Sequence, residues 1–330
     1  METTKLKPSQ ISEALAALVK MQQPVMLHSS PGMGKSQIVH QTADSLGMAL
    51  TDVRAVLLDP VDLRGLPTVN GDGRAHWATP DFLPTEGAGI LFLDEINAAP
   101  LAVQAACYQL ILDRKLGEYV LPAGWAIVAA GNLQTDRAVV NRMSTALASR
   151  FTHIEMICDL DDWCRWALAA GIKTEVIAFL RFRPELLHNF DKDGRTFPCP
   201  RTWEFASKII GGGLTNGIEF GLLAGTVGEG AAAELAGFLK IYRQLPSPDA
   251  VLMSPDTADM PDDPATLYAL AGALARKASP DNFDRVIAYV GRMPAEFSVL
   301  TVRDAITRDA ALQSTRPFIE WAAANSDVLI

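Results

Sequence analysis

The chain of 330 residues carries 29 Lys and Arg against 38 Asp and Glu, a net charge of −9 with a pI near 5.1. That acidity leaves no global basic field, so nucleic acid and anionic membranes are disfavoured as partners. Hydrophobic residues at 49%, charged residues at 20% and a mean hydropathy of +0.13 exclude a disordered chain, and the length predicts two domains.

From the N-terminus, METTKLKPSQ lacks the apolar stretch of a secretion signal, which makes the cytoplasm the expected location. No apolar run reaches the roughly 18 residues of a membrane span. The longest apolar stretch, residues 218–239, is broken by Glu219, Glu229 and Glu234. Cys107, Cys158, Cys164 and Cys199 form no CxxC pair and read as reduced, structural thiols. The five histidines are scattered, with no i, i+4 pair, so no histidine metal site is read.

After Pro8, ISEALAALVKM places apolar residues at helical spacing. PVMLH, residues 24–28, is a short apolar strand. The glycine-rich SSPGMGKS follows, and then the amphipathic QIVHQTADSLG, a helix ending at Gly47. ALTDVRAVLL and GILFLDEIN read as the second and third strands, LAVQAACYQLILDRK as a helix, and WAIVAAGN and THIEMI as the fourth and fifth strands. Strands separated by helices predict an α/β fold whose parallel five-stranded sheet is sandwiched by helices. Past residue 159 helical patterns dominate, beginning with DDWCRWALAAG, whose aspartates suit a helix N-terminus. A Pro- and Asp-rich stretch, residues 246–264, reads as a mobile or irregular connector.

The chemistry concentrates at strand ends. Residues 29–36 read S-S-P-G-M-G-K-S, close to the phosphate-loop pattern G-x-x-x-x-G-K-[ST], with Ser29 in place of the first glycine. Backbone N–H groups of such a loop can cradle phosphates at a helix N-terminus. The expected nucleotide-binding set is Ser30, Pro31, Gly32, Met33, Gly34, Lys35, Ser36 and Gln37, with Lys35 reaching the β- and γ-phosphates; a glycine-rich surface turn is the bland alternative. ILFLDEIN ends a buried strand in two carboxylates, suiting Asp94 and Ser36 to Mg²⁺ and Glu95 to polarising a water, although paired carboxylates also occur in solvated turns. WAIVAAGN delivers Asn132 at a strand end, where an amide could bond the attacking water or the γ-phosphate. Arg150 in LASRF and Arg201 in CPRTWEFAS are candidates too, each with a surface arginine as the alternative.

This order of motifs resembles the AAA+ ATPases, P-loop NTPases, and more narrowly the MoxR group with its dynein-related and CbbQ/NorQ-like relatives. DPVDLRGLP (59–67) and ATPDFLPTEGAGILFLDEIN are similar to segments of that group, and the resemblance covers residues 8–210. It implies an ATPase with Walker A at Lys35 and Ser36, Walker B at Asp94 and Glu95, and sensor I at Asn132. Arg150 matches an arginine finger acting in trans, Arg201 the sensor II arginine, and Arg142 a second trans-acting candidate. The division it implies is a nucleotide-binding core at 1–158, an α-helical lid at 159–245, and a connector with a helical C-terminal extension at 246–330.

Two segments then gain meaning. Residues 66–84 contain the turn NGDG between extended residues, where that group carries its helix-2 insert. GEYVLP (117–122) stands where a pre-sensor hairpin is expected. Trp77, Phe82 and Tyr119 could face a ring's pore or a client, or pack in the core. The resemblance implies ATP and Mg²⁺, a homo-oligomeric ring, by analogy a hexamer, and a protein client, foremost one with a von Willebrand factor A domain. A Rubisco-activase-like remodeller is the same mechanism with another client. A nucleic-acid translocase or restriction-type motor is the rival, disfavoured by the acidity; a nucleotide-gated scaffold is disfavoured by Glu95. A GTPase is disfavoured because no N-K-x-D motif occurs.

Overall fold

A computed structural model describes residues 4–69, 71–133, 136, 143–191, 194–245 and 247–325. The chain divides into two compact units, Met1–Asp159 and Leu160–Ile330.

The first unit runs β1 (Thr4–Leu6), α1 (Pro8–Lys20), β2 (Val25–Ser29), α2 (Lys35–Leu46), β3 (Ala49–Arg54), α3 (Pro60–Arg64), β4 (Leu66–Val69), β5 (Ala75–Ala78) and β6 (Ala88–Asp94). It continues through α4 (Leu101–Asp113), β7 (Lys115–Leu116), β8 (Tyr119–Val120), β9 (Gly124–Asn132), α5 (Thr145–Ala148) and β10 (Thr152–Met156). The main sheet has six strands in the order β1-β10-β2-β9-β6-β3, all parallel. Five were expected. The sixth, β1, pairs only three residues with β10, too few for a period to register in the sequence.

Alternation along each strand splits the apolar residues between two faces. Ile90, Phe92, Ala126, Val128, Val25 and Leu27 share one core with Ile11, Leu15 and Val39, from α1 and α2. Leu91, Leu93, Ile127, Ala129 and Met26 share the other with Val103, Cys107 and Leu110 of α4. Helix α1 starts at Pro8, where a missing N–H costs nothing, and Gln10 accepts the Lys7 N–H at 3.1 Å. Because the strands are parallel, their C-terminal ends gather on one edge. Ser29 ends β2 opposite Asn132, which ends β9, and Asp94 ends β6.

Two antiparallel hairpins stand apart from this sheet. In β4–β5 all eight strand residues are exposed, and Leu66 pairs with Ala78. Asn70, the first residue of the expected turn, lies outside the described residues, as does Arg142. The second hairpin, β7–β8, is only two residues a side.

The second unit is helical among its described residues: α6 (Leu160–Ala169), α7 (Thr174–Phe182), α8 (Pro200–Ile210), α9 (Asn216–Val227), α10 (Glu229–Gln244), α11 (Pro248–Met253), α12 (Pro264–Lys277), α13 (Phe283–Val290), α14 (Ala295–Arg308) and α15 (Arg316–Ala324). The stretch expected to be a mobile or irregular connector is in part ordered helix. Val251 and Leu252 of α11 are buried in the apolar core, and the loop after it is tied down by Tyr289, whose hydroxyl donates to the Asp259 carbonyl at 2.7 Å. The Pro and Asp signal was real as punctuation but hid two apolar anchors. Among the described residues no helix is long and apolar enough to cross a membrane.

Inside this unit, the Arg181 guanidinium on α7 donates two hydrogen bonds to the Asp304 carboxylate on α14, with the side chains 8% and 4% exposed. Burial alone would lower the Arg181 pKa, but the bonds to Asp304 and its charge more than offset this and hold it above the ordinary value. Removing one partner leaves the other charge buried. Asp304→Ala should therefore cost about 3–5 kcal/mol in urea denaturation, and the apolar pair Arg181→Met with Asp304→Leu should recover most of the loss. A single variant as stable as wild type would mean that the pair is solvated.

Candidate functional site

The site is assembled at the C-terminal edge of the sheet. After β2 the chain turns through residues 30–34 and enters α2 at Lys35. Gly34 has φ 94°, and a Cβ there would meet nothing within 4 Å, so the demand for glycine is conformational and not steric. Met33, 8% exposed, is buried in the core with Ile38 and anchors the loop from beneath. The first turn of α2 leaves backbone N–H groups without intrahelical partners, and with the helix dipole they favour an anion at the loop mouth.

Lys35 is 8% exposed. Its ammonium donates to the Ser29 carbonyl at 3.2 Å, the Ser29 hydroxyl at 3.1 Å, the Ser30 carbonyl at 3.5 Å and Asn132 Oδ1 at 3.0 Å. The departure at Ser29 thus adds an oxygen to the lysine's cradle that glycine would not supply; the same hydroxyl donates to the Ser30 carbonyl at 2.9 Å. Beside it, Ser36 Oγ donates to Asp94 Oδ2 at 2.7 Å, and Asp94 Oδ1 accepts the Glu95 N–H at 2.9 Å. A hydroxyl and a carboxylate meeting at one point are hard oxygen donors, which fits Mg²⁺.

Glu95 has φ 55°, in the left-handed region that non-glycine residues seldom occupy. The conformation is held by its neighbours: the Ile96 N–H donates to the Ala130 carbonyl at 3.1 Å, and the Ala98 N–H to the Glu95 carbonyl at 2.9 Å. The turn buries Ile96 and Asn97 and leaves the Glu95 side chain exposed.

Asn97 is a residue that sequence reasoning missed. It is 4% exposed, its Nδ2 donates to the Asn132 carbonyl at 2.8 Å, and its Oδ1 accepts the Asn132 N–H at 3.2 Å. It clamps the backbone that aims the Asn132 side chain. A Cβ on Gly131 would lie 2.3 Å from Asn97 Oδ1, so this glycine is required by close approach. The signal available in the sequence was an asparagine three residues beyond Asp94, which has no meaning until β6 and β9 are known to be neighbours.

Of the other expected residues, Ser30 is buried and Pro31 half-buried in the loop, while Gln37 is exposed on the first turn of α2. Arg150 follows α5, and its guanidinium donates to the Ala146 carbonyl in its own turn. Arg201 belongs to the second unit, exposed on the first turn of α8. Trp77 is 37% exposed on β5, but Tyr119 is buried, its hydroxyl donating to the Pro84 carbonyl at 2.6 Å, and Phe82 packs partly against the same core. Of the two readings open for Tyr119, the structure has core packing. Among the described residues no group of three or more His, Cys, Asp or Glu is placed to hold a metal ion.

Two expected outcomes follow from this geometry. Asn97→Ala removes the partner of the half-buried N–H and carbonyl of Asn132 and should cost about 1–3 kcal/mol in urea denaturation. Gly131→Ala, which evicts the same amide, should cost little more when added to Asn97→Ala than that change alone; full additivity would mean that the two do not meet. The second outcome concerns His28, which precedes Ser29. Burial, then the charges of His153 and Lys35, push its pKa from 6.5 down to about 4. A depressed folded pKa leaves stability whole above about 6.5 and removes it as pH falls through about 4, here about 3 kcal/mol. Nucleotide-free wild type should accordingly lose stability more steeply than His28→Gln between pH 7 and pH 4; parallel slopes would place His28 in solvent.

Residues 24–151 match the AAA domain of the dynein-related subfamily. No curated protein matches the chain. Among solved structures, it is similar to NtrX from Brucella abortus in complex with ADP, at 14% identity over 98% of this chain and 68% of that one, with a TM-score of 0.42. It is also similar to a variant of RuvB from Thermotoga maritima, at 16% identity over 81% of each chain, with a TM-score of 0.41. Likeness at that level does not extend to activity. The first unit has a parallel sheet flanked by helices, the P-loop NTPase (AAA+) fold, and the match to the AAA domain lies within it.

Proposed function

We propose that this AAA domain binds and hydrolyses ATP with Mg²⁺, in a head-to-tail homo-oligomeric ring, a hexamer, and that turnover remodels or activates a protein partner. The observation that supports it is the convergence of Lys35, Ser36, Asp94 and Asn132 on one sheet edge at the start of α2. The Lys35 ammonium exchanges the neutral oxygens of Ser29, Ser30 and Asn132 for β- and γ-phosphate oxygens, a gain because bonds between two charged partners are the stronger ones. Ser36 and Asp94 would hold Mg²⁺, which when bound neutralises phosphate charge. Glu95 accepts a proton from the water that attacks the γ-phosphorus as the bond to the ADP oxygen breaks. Asn132, clamped by Asn97, orients that water or the γ-phosphate.

The resemblance to the MoxR group assigns Arg150 to the neighbouring subunit's nucleotide and Arg201 to the helical lid. Within the same resemblance, the partner class is a protein with a von Willebrand factor A domain. We place the contact with such a partner on the β4–β5 hairpin, which exposes Val69 at 74% and Trp77 at 37% on one face and Leu66 at 65% on the other.

The test separates binding from chemistry. Lys35→Ala should lose tight binding of a fluorescent ATP analogue. Glu95→Gln should keep it while phosphate release falls about 10²–10⁴-fold, since the amide has the carboxylate's shape but cannot take the proton. A Lys35→Ala variant that binds like wild type would remove the phosphate-loop assignment.

A further inference from the structure

Two histidines that the proposed chemistry does not use join the phosphate loop to the segment that carries Arg150. Strands β2 and β10 are neighbours, and alternation puts His28 on the Met26 face and His153 on the face opposite Ile154, which is the same face. Their ring planes lie 16° apart, with His28 Nε2 at 2.9 Å from His153 Nδ1. His153 Nε2 lies 2.7 Å from the carbonyl of Ala148, the last residue of α5. A carbonyl can only accept, so neutral His153 carries its proton on Nε2, and its bare Nδ1 accepts the His28 Nε2–H. Phe151 packs edge-on against His153 at 6.1 Å, so Arg150 sits between two residues that His153 holds. At the other end, His28 is followed directly by Ser29, whose carbonyl and hydroxyl grip Lys35.

We propose that His28 and His153 form a positioning relay that keeps the Arg150 each subunit offers its neighbour in register with that subunit's own phosphate loop. The relay rests on the reading of Arg150 as acting in trans. It positions that site: any displacement of β2 would move the two hydrogen bonds and, through Ala148, the finger presented across the interface.

His153→Phe keeps a ring against His28 and Phe151 and removes both bonds. Its kcat should fall about tenfold to a hundredfold, as for an intact but misplaced group, with affinity for a fluorescent ATP analogue held within about twofold. Mixed under subunit exchange with Glu95→Gln, His153→Phe should recover turnover, because its sound Glu95 then meets a well-held Arg150. Mixed with Arg150→Ala it should not, since neither parent offers a good finger. Recovery with Arg150→Ala alone, or wild-type turnover by His153→Phe, overturns the relay. The mixture of Glu95→Gln with Arg150→Ala reads the trans assignment separately. If that mixture stays inactive despite exchange, the assignment fails and the relay with it; if it recovers while His153→Phe shows the wrong pattern, the relay alone fails. Should His153→Phe not fold, His28 carries the test. Gln at position 28 can still donate to His153 Nδ1 and Phe cannot, so His28→Gln should keep turnover that His28→Phe loses, and equal losses overturn the relay.

Discussion

The parallel register of β2 against β9, which sets Ser29 opposite Asn132, is the constraint on which the site depends. A slip of one residue would turn every side chain of β2 to the other face. Val25 and Leu27 would leave the core they share with α1 and α2, and Met26 would leave the core under α4. That apolar cost fixes the register. With it fixed, the Lys35 ammonium can reach Ser29 and Asn132 together, at 3.1 and 3.0 Å, from the first turn of a helix. The polar cluster is placed by hydrophobic burial several residues away from it.

Within that frame the site stores strain at one residue. A non-glycine residue at φ 55° costs about 1–3 kcal/mol unless its surroundings over-determine the turn. They do here: Ile96 is fully buried and bonded to Ala130, Asn97 is bonded twice to Asn132, and Glu95's own N–H is taken by Asp94. Glycine would relieve the strain but carry no carboxylate. The placement of the carboxylate at position 95 therefore depends on packing at 96 and 97, and the strands ending at Asp94 and Asn132 are braced by one side chain, Asn97.

What the sequence made legible was whatever is written in contiguous residues. The phosphate loop, the acidic strand end and the strand ending at Asn132 each announce themselves by a polar group after an apolar run, and the helix stop at Gly47 by a glycine that adopts φ 61°. Asn97, His28 and His153 were silent because their partners are 35 and 125 residues away, and only strand order brings them together. Tyr119 could not be decided from sequence for a related reason: the hairpin around it is exposed at Val120 but turns this ring inward to Pro84. Strand β1 was too short for any period to show. Arg142 lies outside the described residues.

The β4–β5 hairpin is held differently from the rest of the first unit. A two-stranded ribbon is at best marginally stable in water by itself, and here neither face of either strand is buried. It touches the second hairpin through His76 Nδ1, which lies 2.6 Å from Glu118, between side chains 58% and 48% exposed. A polar contact between side chains this exposed contributes little, about 0–1 kcal/mol. Leu66 and Val69 pay a hydration cost without a compensating core. Covering those apolar side chains would stabilise a segment with such weak internal support. The same unit thus pairs a polar edge braced by buried neighbours with a hairpin whose strands bury neither face.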